Sequence, residues 1–155
     1  MRTWGRKGQT PVLQETFGWE SLSLIAGLTW KGFLFRLHAG SIKSEQVVEF
    51  LQVLLRHLSG PLLVVWDGAP IHRSARVRDF AAGTAGRLVL ERLPAYAPEL
   101  NPVEYLWGHL KEHELGNLLV RHAHELGHHA TAALRRLRRR PPIIAACWKQ
   151  SSLKL

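Results

Sequence analysis

Two carboxylates stand where a divalent metal could be held. Asp67 directly follows the apolar run "PLLVVW" (61–66), in "VVWDGAPIH". Glu104 lies three residues after Asn101, in "LPAYAPELNPVEYLW" (93–107). A carboxylate at the carboxyl end of a buried strand sits where open α/β sheets place their ligands. Converging carboxylates are hard oxygen donors suited to Mg2+ or Mn2+. Paired metals roughly 3.5–4 Å apart clamp the attacking and leaving oxygens of a phosphodiester displacement. Each acid also has a purely structural reading. Asp-Gly is a common turn pair, and Pro70 reinforces a turn at Asp67. Asn101 followed by Pro102 is a good helix start, and Glu104 could reach back to the Asn101 N–H as a capping box.

A different chemistry is offered by "HELGH" (124–128). It matches the H-E-x-x-H pattern, which puts two histidines on one helical face to bind zinc, with the glutamate as base. Gly127 weakens that helix, the sequence offers no evident third ligand, and the surroundings are arginine-rich. With nine histidines in the chain, chance pairs four residues apart are expected; His109 and His113 are another. A zinc site is not expected here.

The elements that must position these residues follow from periodicity. "SLSLIAGLTW" (21–30) and "GFLFRLHA" (32–39) are strand-like, with Lys31-Gly32 as the turn of a hairpin. "SEQVVEFLQVLLRHL" (44–58) opens on Ser44 as cap and repeats its apolar residues at helical spacing. "PLLVVW" reads as a fully buried, parallel-type strand. "SARVRDFAAG" (74–83) is a short helix stopped by Gly83, and "RLVLERL" (87–93) is a strand. A helix runs from Asn101 to about Glu114. A longer basic helix covers about 123–139 before Pro141-Pro142 stops it. The order β-β-α-β-α-β-α-α builds a mixed sheet with helices on both faces. The excursion from 61–66 through one helix and one strand returns the chain beside its start, so Asp67 and Glu104 can converge on one sheet edge.

Composition narrows the partners. A chain of 155 residues with 46% hydrophobic residues can bury a sizeable core as one globular domain. No apolar run reaches the ~18–20 residues of a membrane span. The opening "MRTWGRKGQTP" does not read as a signal peptide. The lone Cys147 excludes an internal disulfide and suits a reducing compartment. The formal net charge is +9, and the segment from Arg121 onward carries +7 of it, with Glu125 its one acid. "LRRLRRR" could be a solvated helix face, but charge concentrated this way favours a polyanion, most commonly nucleic acid.

"LLVVWDGAPIHRS" together with "LPAYAPELNPVEYLWGHLK" resembles the last two catalytic blocks of the DDE transposases, in particular the bacterial insertion-sequence branch of the mariner-like superfamily. The 36 residues between Asp67 and Glu104 are near that family's spacing. "RTWGRKGQTP", "WESLSLIAGLT" and "SEQVVEFLQVLL" resemble the same branch in the same order. The resemblance implies an RNase H-like fold and metal-dependent cleavage and joining of DNA. Asp67 would be the second acidic ligand and Glu104 the third, holding Mg2+ or Mn2+. His72 matches a histidine common in the family motif, and would either contact phosphate or cap the helix that follows. With it, Arg73, Lys111, Arg135, Arg136, Arg138, Arg139 and Arg140 are the candidate nucleic-acid contacts. Residues 1–120 would form the catalytic domain and residues 121–155 a basic helical tail. The implied partners are DNA, as element ends and target, and a second copy or a complementing N-terminal transposase product. The implied location is cytoplasmic, at the nucleoid.

One departure matters. The family's first catalytic Asp lies on a strand upstream of the block resembling "RTWGRKGQTP", which here starts at Arg2. Glu15, Glu20, Glu45 and Glu49 do not have its setting. The chain therefore reads as an N-terminally truncated form lacking the first central strand, with little cleavage activity by itself; the alternative is a non-catalytic remnant that binds nucleic acid or a full-length transposase. The missing strand would pair with 21–30 and with 61–66. Its absence is expected to be met by direct closure of those two strands or by dimerisation, rather than by an open gap. Residues 1–16 folding into the gap are a further possibility.

Overall fold

Residues 22–39 carry apolar side chains on both faces and form a largely half-buried hairpin that packs on both sides. The computed structural model of the chain describes residues 21–116, 118 and 122–153. Strands β1 (Leu22–Thr29) and β2 (Gly32–Ala39) pair antiparallel, with Thr29 opposite Gly32, so the turn residues are Trp30 and Lys31 rather than Lys31 and Gly32. The Thr29 hydroxyl closes this turn by donating to the Gly32 carbonyl at 2.9 Å and accepting from the Lys31 N–H at 3.3 Å.

Helix α1 (Ser44–His57) turns Val47, Phe50, Leu51 and Leu54 inward. Ser44 is its first helical residue and not its cap. The cap is Lys43, whose N–H donates to the Gln46 side chain at 2.9 Å. Ile25 and Leu34 of the hairpin lie on this helix, while Leu24, Leu28, Phe33, Phe35 and Leu37 face the other way. Gly27 makes the close approach possible: a Cβ there would stand 3.3 Å from Leu54 Cδ2 and 3.5 Å from Phe50 Cε1.

Strands β3 (Leu62–Trp66) and β4 (Leu88–Arg92) form a parallel pair joined through helix α2 (Ala75–Ala82). Leu62, Val64, Trp66, Leu88 and Leu90 pack on the same α1 cluster, with Val77 of α2. Arg87 secures the junction by donating to the carbonyls of Leu55, Leu58 and Gly60 beyond and within the end of α1, groups a helix leaves unpaired.

The expected closure of 21–30 onto 61–66 does not form. Among the described residues there are two separate two-stranded sheets, β1–β2 and β3–β4. Both are seated on α1, and sliding β1 onto β3 would lift Gly27 off Phe50 and Leu54. Residues 1–16, the other expected filler, lie outside the described residues.

Helix α3 (Pro102–His109) continues through a π-helical turn at Leu110–Glu114, so the helical stretch ends where the sequence suggested. Gly116 is required at its exit, since a Cβ there would come within 2.6 Å of the Glu112 carbonyl oxygen. Helix α4 (Ala123–Leu137) buries Ala130, Ala133, Leu134 and Leu137 and turns its arginines outward. Pro141-Pro142 does end the basic helix, but it also starts another, α5 (Pro141–Gln150). Proline fits a first helical turn, where its missing N–H is not needed. Ile144 and Cys147 of α5 join Leu134, Leu137, Leu106, Leu110 and Phe33 in one core.

Two outcomes test this packing. Leu134→Ala should cost about 2–5 kcal/mol in denaturant unfolding, as fully buried leucines do, whereas the neighbouring exposed Arg135→Ala should change it by less than about 0.5 kcal/mol. Burial also pushes the Cys147 thiol pKa up, so Cys147 should resist alkylation at neutral pH until the protein is unfolded; rapid labelling of the native chain would contradict its place in the core.

Candidate active site

At the end of β3, two contacts fix the Asp67 carboxylate. Its Oδ1 accepts the Ala69 N–H at 2.9 Å, closing a turn through Gly68. The same oxygen takes His72 Nδ1 at 2.7 Å. The His72 ring lies flat on the Trp66 indole, with centroids 4.4 Å apart and planes 3° apart. A 3-10 turn at Pro70–Arg73 carries the histidine back over the strand end. Among the described residues no hydrogen bond reaches Asp67 Oδ2, and the side chain is 58% exposed. One carboxylate oxygen is therefore held while the other faces solvent.

The start of α3 fixes Glu104. Asn101 caps the helix by accepting the Val103 N–H at 3.2 Å, and Pro102 takes the first position. The capping box does not form. The Asn101 N–H is already given to the Pro98 carbonyl at 3.0 Å, within a short 3-10 turn at Pro98–Leu100. The Glu104 side chain is exposed and has no hydrogen bond or ion pair among the described residues. The prolines thus hold the helix start by backbone bonds and leave this carboxylate uncommitted.

Asp67 and Glu104 line one pocket of about 460 Å³, together with Arg73, Arg92, Tyr96 and Asn101. Both also reach the rim of a larger apolar cavity between β1 and β3. Arg92 and Tyr96 are not evident from sequence. Arg92 is the register partner of Trp66 and so ends up beside the Asp67 turn; only knowledge of the β3–β4 pairing would have revealed it. Tyr96 is fully exposed and holds a left-handed backbone with φ of +57°. The proline-rich run that surrounds it was its one visible signal.

The other candidates are dispersed. His72 is engaged with Asp67 and Trp66, and the cap of α2 is Ser74, whose hydroxyl accepts the Val77 N–H at 3.4 Å. Arg73 is exposed in the pocket; Lys111 is exposed on the π-helical turn. Arg135, Arg136, Arg138, Arg139 and Arg140 are exposed and line neither cavity. Arg136 is ion-paired with Glu114. Arg121 lies outside the described residues. In "HELGH", His124 and His128 meet with Nε2 atoms 2.9 Å apart. Among the described residues no three His, Cys, Asp or Glu side chains are grouped to hold a metal, at this place or at Asp67. The Asp67–Glu104 pair still suits Mg2+ or Mn2+, because such ions bind through one or two carboxylates and complete their shell with water and substrate phosphate.

The sequence profile of the family described as DDE superfamily endonuclease matches residues 1–126. No curated protein sequence matches the chain. Among solved structures, the catalytic domain of Mos1 mariner transposase superposes with a TM-score of 0.54 at 17% identity, covering 88% of this chain and 81% of that one. A Mos1 transposase paired-end complex with left transposon end gives 0.60 at 18% identity, over 98% of this chain and 52% of that one. A Mos1 mariner paired end complex with Mn gives 0.58 at 18% identity, over 99% and 52%. The chain spans about half the length of the Mos1 chains in those complexes. The likeness is one of fold, and it agrees with the mixed α/β, RNase H-like arrangement expected from sequence.

His72 should matter to any metal held at Asp67. Groups that orient a ligating carboxylate typically contribute 10–100-fold to metal affinity. His72→Ala should therefore weaken Mn2+ binding by about tenfold, read by electron paramagnetic resonance titration. An unchanged affinity would mean that the His72 contact does not orient Asp67 as a ligand.

Proposed function

The chain belongs to the DDE superfamily of endonucleases, and from that premise we propose that it is a transposase catalytic domain, which cuts and joins DNA at Asp67 and Glu104. The observation that carries this reading is that the two acids, one from the end of β3 and one from the start of α3, line one pocket together with Arg73 and Arg92. Mg2+ or Mn2+, when bound by the two carboxylates, would supply Lewis-acid stabilisation and an activated water or hydroxyl for phosphodiester displacement. The remaining work belongs to the chain itself. Asp67 Oδ2 and the Glu104 carboxylate are the donors. His72 and the Ala69 N–H keep Asp67 from rotating away. Arg73 and Arg92 offer guanidinium forks to phosphate oxygens.

DNA is the partner this reading requires, and transposon ends are what one of the Mos1 complexes contains. We assign residues 1–120 to catalysis and residues 121–155 to a basic extension whose exposed arginines, with Lys111, grip the backbone without reading bases. Among the described residues no helix is long and apolar enough to cross a membrane. Action on the nucleoid in the cytoplasm, and pairing with a second copy or a complementing product, belong to the same proposal.

Two measurements test it. On supercoiled plasmid with Mn2+, the protein should nick slowly; Asp67→Asn and Glu104→Gln should each lower the rate at least about 100-fold, a loss of roughly 2.7 kcal/mol of transition-state stabilisation, with DNA binding retained. DNA binding with no nicking would favour a non-catalytic remnant, and nicking indifferent to both substitutions would remove Asp67 and Glu104 from the chemistry. Binding to duplex DNA should also fall steeply with salt. Replacing Arg135, Arg138, Arg139 and Arg140 by Ala should flatten the slope of log K against log salt by up to about 0.9 for each phosphate no longer neutralised. An unchanged slope would place the DNA elsewhere.

A further inference from the structure

Two histidines of α4 stand apart from the carboxylate site. His124 and His128, one helical turn apart in "HELGH", are both exposed. Their Nε2 atoms lie 2.9 Å apart and their ring centres 4.4 Å, with the planes at 80°. Metal–nitrogen bonds of about 2.0–2.1 Å meeting at a right angle put two imidazole nitrogens about 2.9 Å apart and their ring centres about 4.5 Å. A tetrahedral angle would need about 3.3–3.4 Å between the nitrogens. A head-on hydrogen bond between the rings, at the same nitrogen separation, would hold the centres about 5.2 Å apart. The two nitrogens therefore converge on a point beside the helix. Spacing alone does not produce this. His109 and His113 are also four residues apart, but the second lies in the π-helical turn Leu110–Glu114. Their ring centres are 4.7 Å apart at 49°, and among the described residues no nitrogen–nitrogen contact joins them. In α4 the inner side of the turn is fixed by packing. Ala130 is buried, and a Cβ at Gly127 would stand 3.7 Å from Leu22 Cδ2, which leaves the histidine pair on the solvent side.

We propose that His124 and His128 form a two-histidine chelate for a divalent transition ion that takes nitrogen ligands at right angles, Ni2+ or Cu2+, with water in its remaining positions. The proposal does not rest on the DNA reading. Imidazole is a preferred donor for these ions, and square or tetragonal shells are their usual geometry. The oxygen donors of Asp67 and Glu104 suit harder ions, so the two sites sort metals by donor type. A third protein ligand is not required, and among the described residues none is grouped with the pair. Chelation needs both Nε2 atoms bare, with each ring's hydrogen on Nδ1, so the hydrogen now shared between the rings must leave Nε2. Gly127 lies inside the loop that the ion would close, and glycine is a poor helix former. The ion would therefore staple the first turns of α4, the helix whose far end carries Arg135 and Arg136.

Ni2+ is the probe, titrated by calorimetry into the untagged full chain at about pH 7.5, where imidazole is ordinarily neutral. His124→Ala and His128→Ala should each weaken binding about tenfold or more, because the second imidazole is held at the metal at high effective concentration. His113→Ala and His129→Ala remove exposed histidines outside the pair and should leave the affinity unchanged. With Ni2+ bound, the amides of Gly127–Ala130 should exchange about tenfold more slowly, and His128→Ala should abolish that protection. Equal weakening by all four substitutions, or none by either member of the pair, would make the binding a property of scattered surface histidines and overturn the proposal. No binding by the unmodified chain would do the same. Tighter binding of Zn2+ than of Ni2+ would overturn the right-angled geometry.

Discussion

Burial of one helix face governs this structure. Val47, Phe50, Leu51 and Leu54 of α1 are the shared floor for the hairpin and for the parallel pair. Neither sheet could bury its inner side chains without that helix, and the helix could not bury its own face on either sheet alone. Because a Cβ at Gly27 would stand only 3.3 Å from Leu54 Cδ2, the lack of a side chain there lets the hairpin lie close on α1. Trp66, packed in the same cluster, places the carboxyl end of β3 and with it Asp67. The distance between the sheets and the direction of the first carboxylate both follow from one apolar contact surface.

The second carboxylate depends on a different device. Three prolines, a 3-10 turn and the Asn101 cap define the entry of α3 through backbone bonds. Far inside, Leu106 and Leu110 anchor the same helical stretch in the core shared with α4 and α5. Glu104 is thus positioned from both ends while its own oxygens stay unspent. Asp67 is the opposite case, with one oxygen held by Ala69 and His72 and the other left outward. Both arrangements keep a donor oriented without using it up, which is what a site preorganised for a metal and a phosphate needs.

Most elements were legible in the sequence because their burial patterns are strong. The hairpin, α1 and the apolar β3 could be read from their apolar pattern and the start of α3 from its Asn-Pro cap, while the turn of the hairpin and the cap of α1 each fall one residue earlier than the sequence suggests. The acids stood out by position, after a strand and inside a helix entry. What escaped was set by contacts that are not local. The His72–Asp67 contact needs the 3-10 turn that swings the ring over Trp66. Arg92 needs the β3–β4 register. Helix α5 was hidden because Pro-Pro is both a stop and a start, and only the packing of Ile144 and Cys147 decides between them. β1 does not pair with β3 because α1 holds each sheet separately, a contact that the sequence period does not reveal.

The central claim is that Asp67 and Glu104 act as one metal-binding unit. A Mn2+ titration by electron paramagnetic resonance, run on the unmodified protein, Asp67→Asn, Glu104→Gln and the double variant, tests it most directly. Two ligands of one site should be strongly non-additive, each single substitution losing nearly as much affinity as the double. Additive losses, or a high-affinity site that survives the double substitution, would contradict the account.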